Sequence, residues 1–171
     1  MDRRFFLSTG VSSLVSSQLG AASDRVRIAV IGMGGRGSEL MRVFSGIAGV
    51  EVAAVVDPDG NRGEKAAGWL LEKTGKRATV ETDMRRVFDD KTIDAVIIAT
   101  TNHWHALTAI WAMQAGKDVY VEKPVSHNFF EGQKLVEAAR KRQMFALDAT
   151  CPLVYRVHLE ALRHHAEGRE I

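Results

Sequence analysis

The sequence is poor in several features that mark particular classes of protein. Its 171 residues include one cysteine, Cys151, which has no partner for an internal disulfide or for a CxxC zinc motif. The 23 basic and 21 acidic residues give a net charge of +2 and form no basic stripe with interleaved aromatic residues. Nucleic acid is therefore not an expected partner. His164 and His165 have no carboxylate at ligand spacing, so no metal site is expected.

Long hydrophobic runs are also missing, and the first 23 residues are interpreted as an export signal. Arg3 and Arg4 are followed by aromatic residues and by a weakly apolar, serine-diluted stretch that is too short and too polar to span a bilayer. Small residues at 20–23 offer a cleavage site. The pattern resembles a twin-arginine signal, so we expect a periplasmic or otherwise exported protein. The alternative is a cytoplasmic chain with a chance arginine pair.

A glycine-rich turn is the most informative feature that is present. Residues 32–37 (Gly-Met-Gly-Gly-Arg-Gly) follow an apolar run at 26–31 and precede a helix-compatible segment at 38–44. A second apolar run at 50–56 then ends in Asp57, 20 residues after the last glycine. Strand, glycine turn, helix, strand and acid in this order form the dinucleotide-binding fingerprint in its required context.

Each glycine of the fingerprint has an expected physical role. Gly32 permits the tight turn, Gly34 lets a pyrophosphate approach the backbone, and Gly37 lets the helix pack close to the strand. Met33 and Gly35 belong to the same turn and are counted with them as cofactor-binding residues. The N-terminal amides of the following helix face the phosphates. The alternative is a structural glycine turn in a protein that binds no nucleotide.

Asp57 predicts which cofactor is preferred. Its carboxylate can accept hydrogen bonds from the adenosine ribose hydroxyls and would repel a 2′-phosphate, so NAD is favoured. NADP remains possible, because Arg36 or Arg62 beside the ribose can hold that phosphate.

Strand and helix patterns alternate along the rest of the sequence. Strands are predicted at 78–81, 93–99, 119–121 and 145–147, and helices at 61–73, 84–88, 105–115 and 128–142, with Asp83 and Asn128 as caps. This alternation predicts an α/β fold, a doubly wound parallel sheet of the Rossmann type with helices on both faces. Ligands bind outside the carboxyl ends of such strands. The glycine turn, Asp57, the segment from Thr100 to His105 and residues 122–124 should therefore converge on one crevice.

Two later segments complete a resemblance to a known family. Residues 100–107 (Thr-Thr-Asn-His-Trp-His-Ala-Leu) and 116–124 (Gly-Lys-Asp-Val-Tyr-Val-Glu-Lys-Pro), with the glycine turn and Asp57, resemble the Gfo/Idh/MocA oxidoreductases. The resemblance covers residues 24–150, the nucleotide-binding domain of that family. It implies NAD or NADP and reversible oxidation of a hydroxyl of a pyranose or cyclitol.

The resemblance also implies roles for individual residues. Lys123 corresponds to the catalytic lysine, and Asn102, His105 and Glu122 line the cofactor. Thr101 stands where the family usually has proline, which should cost loop rigidity rather than chemistry. The role of the lysine is chemically reasonable, since hydride transfer from a carbinol needs a base for the hydroxyl proton. A lysine in a desolvated cleft can have a lowered pKa and serve as that base.

The largest departure from the family is length, because members of the family carry a second α/β domain after the nucleotide-binding domain. Residues 151–171 resemble the linking helix that precedes that domain, so the chain is expected to be a fragment that binds cofactor but turns over sugars poorly. The alternative is a natural single-domain protein. A family-like homo-oligomer is expected only if the C-terminal domain is present. Two other functions stay open: a nucleotide-binding module without catalysis, and an NAD-dependent glycosidase that oxidises its sugar transiently.

Overall fold

A computed structural model describes residues 25–142 and 146–148, the last three through their backbone. The predicted signal at 1–23 and the predicted linking helix at 151–171 lie outside the described residues. Cys151, His164 and His165 lie outside them as well.

Strands and helices alternate throughout the described chain. The elements are β1 (Val26–Ile31), α1 (Gly35–Ser45), β2 (Val50–Val56), α2 (Gly60–Thr74), β3 (Thr79–Glu81), α3 (Met84–Asp89), β4 (Ala95–Ile98), α4 (Asn102–Gln114), β5 (Asp118–Val121), α5 (Phe129–Arg142) and β6 (Ala146–Asp148). Among these helices, none has both the length and the apolar character that crossing a membrane requires.

The strands form one parallel sheet. Its order is β3-β2-β1-β4-β5-β6, and every neighbouring pair in it is parallel. The chain moves outward from β1 to β2 and β3, then returns to the centre and lays β4 against the other side of β1. This arrangement confirms the predicted doubly wound parallel sheet of the Rossmann type.

Both faces of the sheet are covered, as the alternation of side chains along β1 requires. Ile28 and Val30 belong to a buried cluster completed by α1 and α2, whereas Ala29 and Ile31 belong to a second cluster completed by α3, α4 and α5. The strands in the middle of the sheet are therefore buried on both sides, which explains why their sequences are almost uninterrupted apolar runs.

The start of α4 corrects one sequence-based expectation. The sequence predicts a helix from His105, but α4 begins at Asn102. Thr101 takes an extended backbone conformation at the N-cap, and its carbonyl accepts a hydrogen bond from the amide of Trp104 at 2.9 Å. Residues 102–104 thus form the first helical turn, which places His105 inside the helix. The first helix likewise begins earlier than predicted, at Gly35 instead of Ser38.

Candidate functional site

The candidate site lies where the winding of the sheet reverses. The chain leaves β1 in one direction and β4 in the other, so α1 and α4 begin on either side of a crevice at the carboxyl ends of these two central strands. In open parallel sheets ligands bind at this point.

Two glycines of the turn are required by the protein itself. Gly32 has a φ of +92°, and a Cβ added there would come within 2.6 Å of the carbonyl oxygen of Ala99. A Cβ added at Gly37 would lie 1.7 Å from the carbonyl oxygen of Gly32. Any side chain at either position would therefore force the turn, α1 and β4 apart.

At the other two glycines of the turn, no contact within the protein excludes a side chain. A Cβ added at Gly34 or Gly35 would meet nothing within 4 Å. The missing side chains leave open space above the beginning of α1, where the sequence predicts the approach of a pyrophosphate. The turn therefore fits the phosphate part of a dinucleotide, and its fit depends on backbone groups alone.

The N-termini of α1 and α4 complete this part of the crevice. Gly34 has no side chain to cap α1, Thr101 makes no side-chain cap bond to α4, and neither helix has an acidic residue in its first turn. The first N–H groups of a helix have no partner within the helix and carry its positive dipole end. Both helices thus direct amides at the crevice without a side-chain acceptor.

Asp57 lies at the end of β2, beside the glycine turn. It is buried, and its two carboxylate oxygens accept hydrogen bonds from the amide of Met33 at 2.7 Å and from the amide of Asp59 at 2.9 Å. These bonds fix the orientation of the carboxylate, and each oxygen keeps a further lone pair that can accept from a hydroxyl. Met33 itself buries its side chain in the core, so its contribution to the site is made by its backbone.

An ion pair crosses the crevice. Arg36 Nε donates to Glu122 Oε1 at 2.7 Å, and a second guanidinium nitrogen of Arg36 donates to Glu39 at 2.9 Å. Glu122 is buried, whereas the Arg36 side chain is 47% exposed. The hydrogen bond to Glu122 raises the pKa of the Arg36 guanidinium above its usual value. The sequence predicted both residues as cofactor-binding but not their pairing, since no local pattern connects positions 86 residues apart.

Lys123 stands at the carboxyl end of β5, immediately after Glu122. Its backbone N–H lies 3.3 Å from Glu122 Oε2, and its peptide bond to Pro124 is cis. The Lys123 side chain is exposed. The desolvated setting expected from the sequence is therefore not formed by the described residues alone.

The segment after β4 contributes residues at different depths. Asn102 is exposed at the first position of α4, and Thr100 is half-buried just before it. His105 is only 1% exposed; its Nδ1 lies 2.7 Å from the carbonyl oxygen of Pro124 and its Nε2 lies 3.1 Å from that of Thr100. The structure thus brings the predicted site residues to one edge of the sheet, with His105 beneath its surface.

No metal centre is evident in this region. Within residues 25–142, no group of three or more histidine, cysteine, aspartate and glutamate side chains is arranged to hold a metal ion.

Comparison with known proteins agrees with this geometry. Residues 26–147 match the model of the GFO_IDH_MocA family, described as an oxidoreductase family with an NAD-binding Rossmann fold. The chain is 32% identical over 153 residues to a glycosyl hydrolase family 109 protein of Solibacter usitatus, covering 84% of this chain and 35% of that protein. It is 32% identical over 130 residues to inositol 2-dehydrogenase 1 of Saccharopolyspora erythraea, covering 69% of this chain and 37% of that enzyme.

Among solved structures, myo-inositol 2-dehydrogenase from Lactobacillus plantarum is similar in fold. The TM-score is 0.65 at 28% identity, over 73% of this chain and 36% of that one. The chain thus spans about a third of the length of the relatives it matches.

Proposed function

We propose, because this chain belongs to the Gfo/Idh/MocA oxidoreductase family, that it is the cofactor-binding part of an NAD(P)-dependent oxidoreductase acting on a hydroxyl of a sugar or cyclitol. Residues 26–147 are the NAD-binding Rossmann domain of that family. The observation that carries the proposal is the open turn at Gly34 and Gly35 over an uncapped helix N-terminus. The carboxylate of Asp57 lies beside this turn.

The cofactor is held by two kinds of group. The turn and the first amides of α1 would hold the pyrophosphate, since they offer hydrogen-bond donors and the positive end of a helix dipole. Asp57 accepts hydrogen bonds from the adenosine ribose, and its negative charge disfavours a 2′-phosphate. Arg36, in the turn itself, is paired with Glu122 across the crevice.

Transfer of the substrate's hydroxyl proton is assigned to Lys123. The nicotinamide cofactor supplies the hydride acceptor when it is bound. The Lys123 amine takes the hydroxyl proton of the substrate as the carbinol carbon loses its hydride, and the ammonium returns that proton in the reverse direction. Substrate and cofactor, once bound, would cover the exposed Lys123 and so would provide the desolvation that the free crevice lacks.

Titration of the purified chain with NAD and NADP tests the cofactor part of this proposal. We expect tighter binding of NAD, and Asp57→Asn should abolish that preference, because asparagine loses the charge while it keeps one acceptor oxygen for one of the two amides, of Met33 and Asp59, that Asp57 accepts from. Asp89→Asn, an exposed position at the end of α3, is the control and should bind like the wild type. Equal or tighter NADP binding by the wild type would contradict the assignment of Asp57.

A second candidate function is an NAD-dependent glycosidase. It is favoured by the similarity to the glycosyl hydrolase family 109 protein, which covers 84% of this chain. In that reaction the sugar would be oxidised, would eliminate its leaving group, would add water in its place and would be reduced again, so that no net NADH forms. Glycoside hydrolysis without net NADH would favour the glycosidase, whereas NADH accumulating with a free sugar or cyclitol would favour the dehydrogenase.

Substrate turnover is proposed to need more than this crevice. The chain spans about a third of its relatives, and an exposed Lys123 has no facing wall among the described residues. We therefore expect cofactor binding with little sugar turnover from this chain alone. Robust turnover that disappears in Lys123→Ala would show that the chain is sufficient.

Export is proposed from the pattern of residues 1–23 alone. The twin-arginine route carries folded proteins, so a cofactor would be loaded before transport. Replacing Arg3 and Arg4 by lysine should retain the protein in the cytoplasm, and unchanged localisation by cell fractionation would contradict the signal.

A further inference from the structure

The buried imidazole of His105 connects two loops that are far apart in sequence. Its Nδ1 lies 2.7 Å from the carbonyl oxygen of Pro124, after β5, and its Nε2 lies 3.1 Å from that of Thr100, after β4. The ring is 1% exposed, so water does not compete for these contacts. Each ring nitrogen therefore has its nearest polar partner on a different loop.

The chemistry of the partners fixes the direction of both contacts. A backbone carbonyl oxygen accepts hydrogen bonds and cannot donate them, so each contact is a hydrogen bond only when that ring nitrogen carries a proton. A neutral imidazole donates to one carbonyl, and an imidazolium donates to both. We assign the proton of the neutral ring to Nδ1, because its contact, to Pro124, is the shorter of the two.

The contacts of the His105 ring lie just beyond the point where β4 and β5 stop pairing. Strands β4 and β5 are paired as far as Ile98 and Val121, and the amide of Glu122 then donates to the carbonyl of Ile98 at 2.9 Å. Within the described residues, the backbone hydrogen bonds between these two strands stop there, and His105 spans the separation that follows.

We infer that His105 is a positioning residue that ties the loop after β4 to the loop after β5 and so fixes where Lys123 stands. Pro124 directly follows Lys123, so a bond to the Pro124 carbonyl restrains the backbone that carries the amine. The other ring nitrogen contacts the carbonyl of Thr100, which lies just before α4 and its first residue, Asn102. The inference rests on the proposed function, because that function makes the position of Lys123 matter.

Three substitutions separate the two contacts. In His105→Asn the side-chain amide nitrogen stands near the position of Nδ1 and can still donate to Pro124. In His105→Gln it stands near the position of Nε2 and can still donate to Thr100. His105→Phe keeps a ring of similar size and donates to neither. His103→Phe is the matched control, since His103 lies two residues earlier and is exposed.

Amide hydrogen exchange of the full chain is the readout. We expect His105→Gln, which loses the donor to Pro124, to speed exchange at Lys123 by about fivefold, and His105→Asn, which keeps that donor, to leave exchange at Lys123 unchanged. His105→Phe should speed exchange at Lys123 as His105→Gln does, and His103→Phe should not. Equal changes at Lys123 in the Asn and Gln variants would overturn the inference, because a merely structural role predicts no difference between the two donor positions.

The wild-type chain supplies a test that needs no variant. Nitrogen-15 spectra of the histidine rings report which nitrogen carries a proton. A protonated Nδ1 at His105, alone or together with Nε2, supports the bond to Pro124, and an unprotonated Nδ1 overturns it. Neither readout requires turnover, so a chain without oxidoreductase activity can still confirm or overturn the role of His105.

Discussion

The helices at the centre of the sheet begin differently from those at its flanks. At α2, α3 and α5 a side chain caps the first turn: Asp59 accepts from the amide of Asn61, Asp83 from that of Arg85, and Asn128 from that of Glu131. At α1 and α4, which border the crevice, no side-chain cap is formed. All five helices of the described residues follow the carboxyl end of a strand, so the difference is not one of position along the fold.

The difference shows what the central helices leave for a ligand. A side-chain cap satisfies one of the first amides of its helix within the protein and stabilises the helix by about 1 kcal/mol. The central pair forgoes this stabilisation and keeps its amides directed at the crevice. An anion such as a pyrophosphate would supply the missing acceptor.

The largest expected effect comes from comparing two glycines of the same turn. Gly37→Ala should destabilise the chain by about 4 kcal/mol or more, because its Cβ would lie 1.7 Å from the carbonyl oxygen of Gly32. Gly34→Ala should change stability by no more than about 1 kcal/mol, since its Cβ meets no protein atom and its backbone is extended. It should nevertheless weaken NAD binding by roughly tenfold or more, because the methyl group occupies the space of the pyrophosphate.

Urea unfolding and NAD titration of both variants measure this contrast. A Gly34→Ala variant that binds NAD like the wild type would show that the open space serves no phosphate. The absence of side-chain caps at the central helices would then not be explained by phosphate binding.

The fold was predictable because its signals are local. The apolar run of β1, the glycine turn and Asp57 lie within about one βαβ unit, and each follows from backbone geometry or from burial on both faces of a sheet. The caps at Asp83 and Asn128 were predicted for the same reason. They are confirmed, since Asp83 accepts from the amide of Arg85 and Asn128 from the amide of Glu131.

The parts that were missed depend on contacts between distant residues. Arg36 in α1 pairs with Glu122 after β5, and His105 in α4 contacts Pro124 after β5, so each contact joins segments that follow different strands. The earlier start of α4 was missed because its first turn, residues 102–104, has no acidic residue of the kind that marks a helix start in a sequence.

A smaller effect is expected when the caps themselves are removed. Asn128→Ala should cost about 1 kcal/mol, because Asn128 Oδ1 accepts from the Glu131 amide at 3.0 Å and its Nδ2 donates back to the Glu131 carboxylate. Thr101→Ala at the start of α4 should cost much less, since no side-chain cap bond is lost. Chemical unfolding of both variants checks this, and equal losses would remove the distinction between flanking and central helices.

The smallest effect is a pH dependence confined to the flank. Hydrogen bonds from the side chain and then from the backbone of Arg85 lower the pKa of Asp83 from 3.8 to about 2. The folded state therefore favours the charged carboxylate. Its contribution to stability is complete above pH 3.8 and is lost as the pH falls through about 2.

The variant Asp83→Asn isolates this contribution, because asparagine still caps a helix but does not titrate in this range. Other carboxylates also titrate here, Glu51 among them, whose pKa is lowered by its bond to Lys76. The informative quantity is thus the difference in unfolding free energy between wild type and variant. We expect this difference to shrink between pH 3.8 and about 2. A difference that stays constant would mean that Asp83 is not held in its charged form by Arg85. Thr101→Ala should show no such change relative to the wild type, because neither central helix has an acidic residue in its first turn.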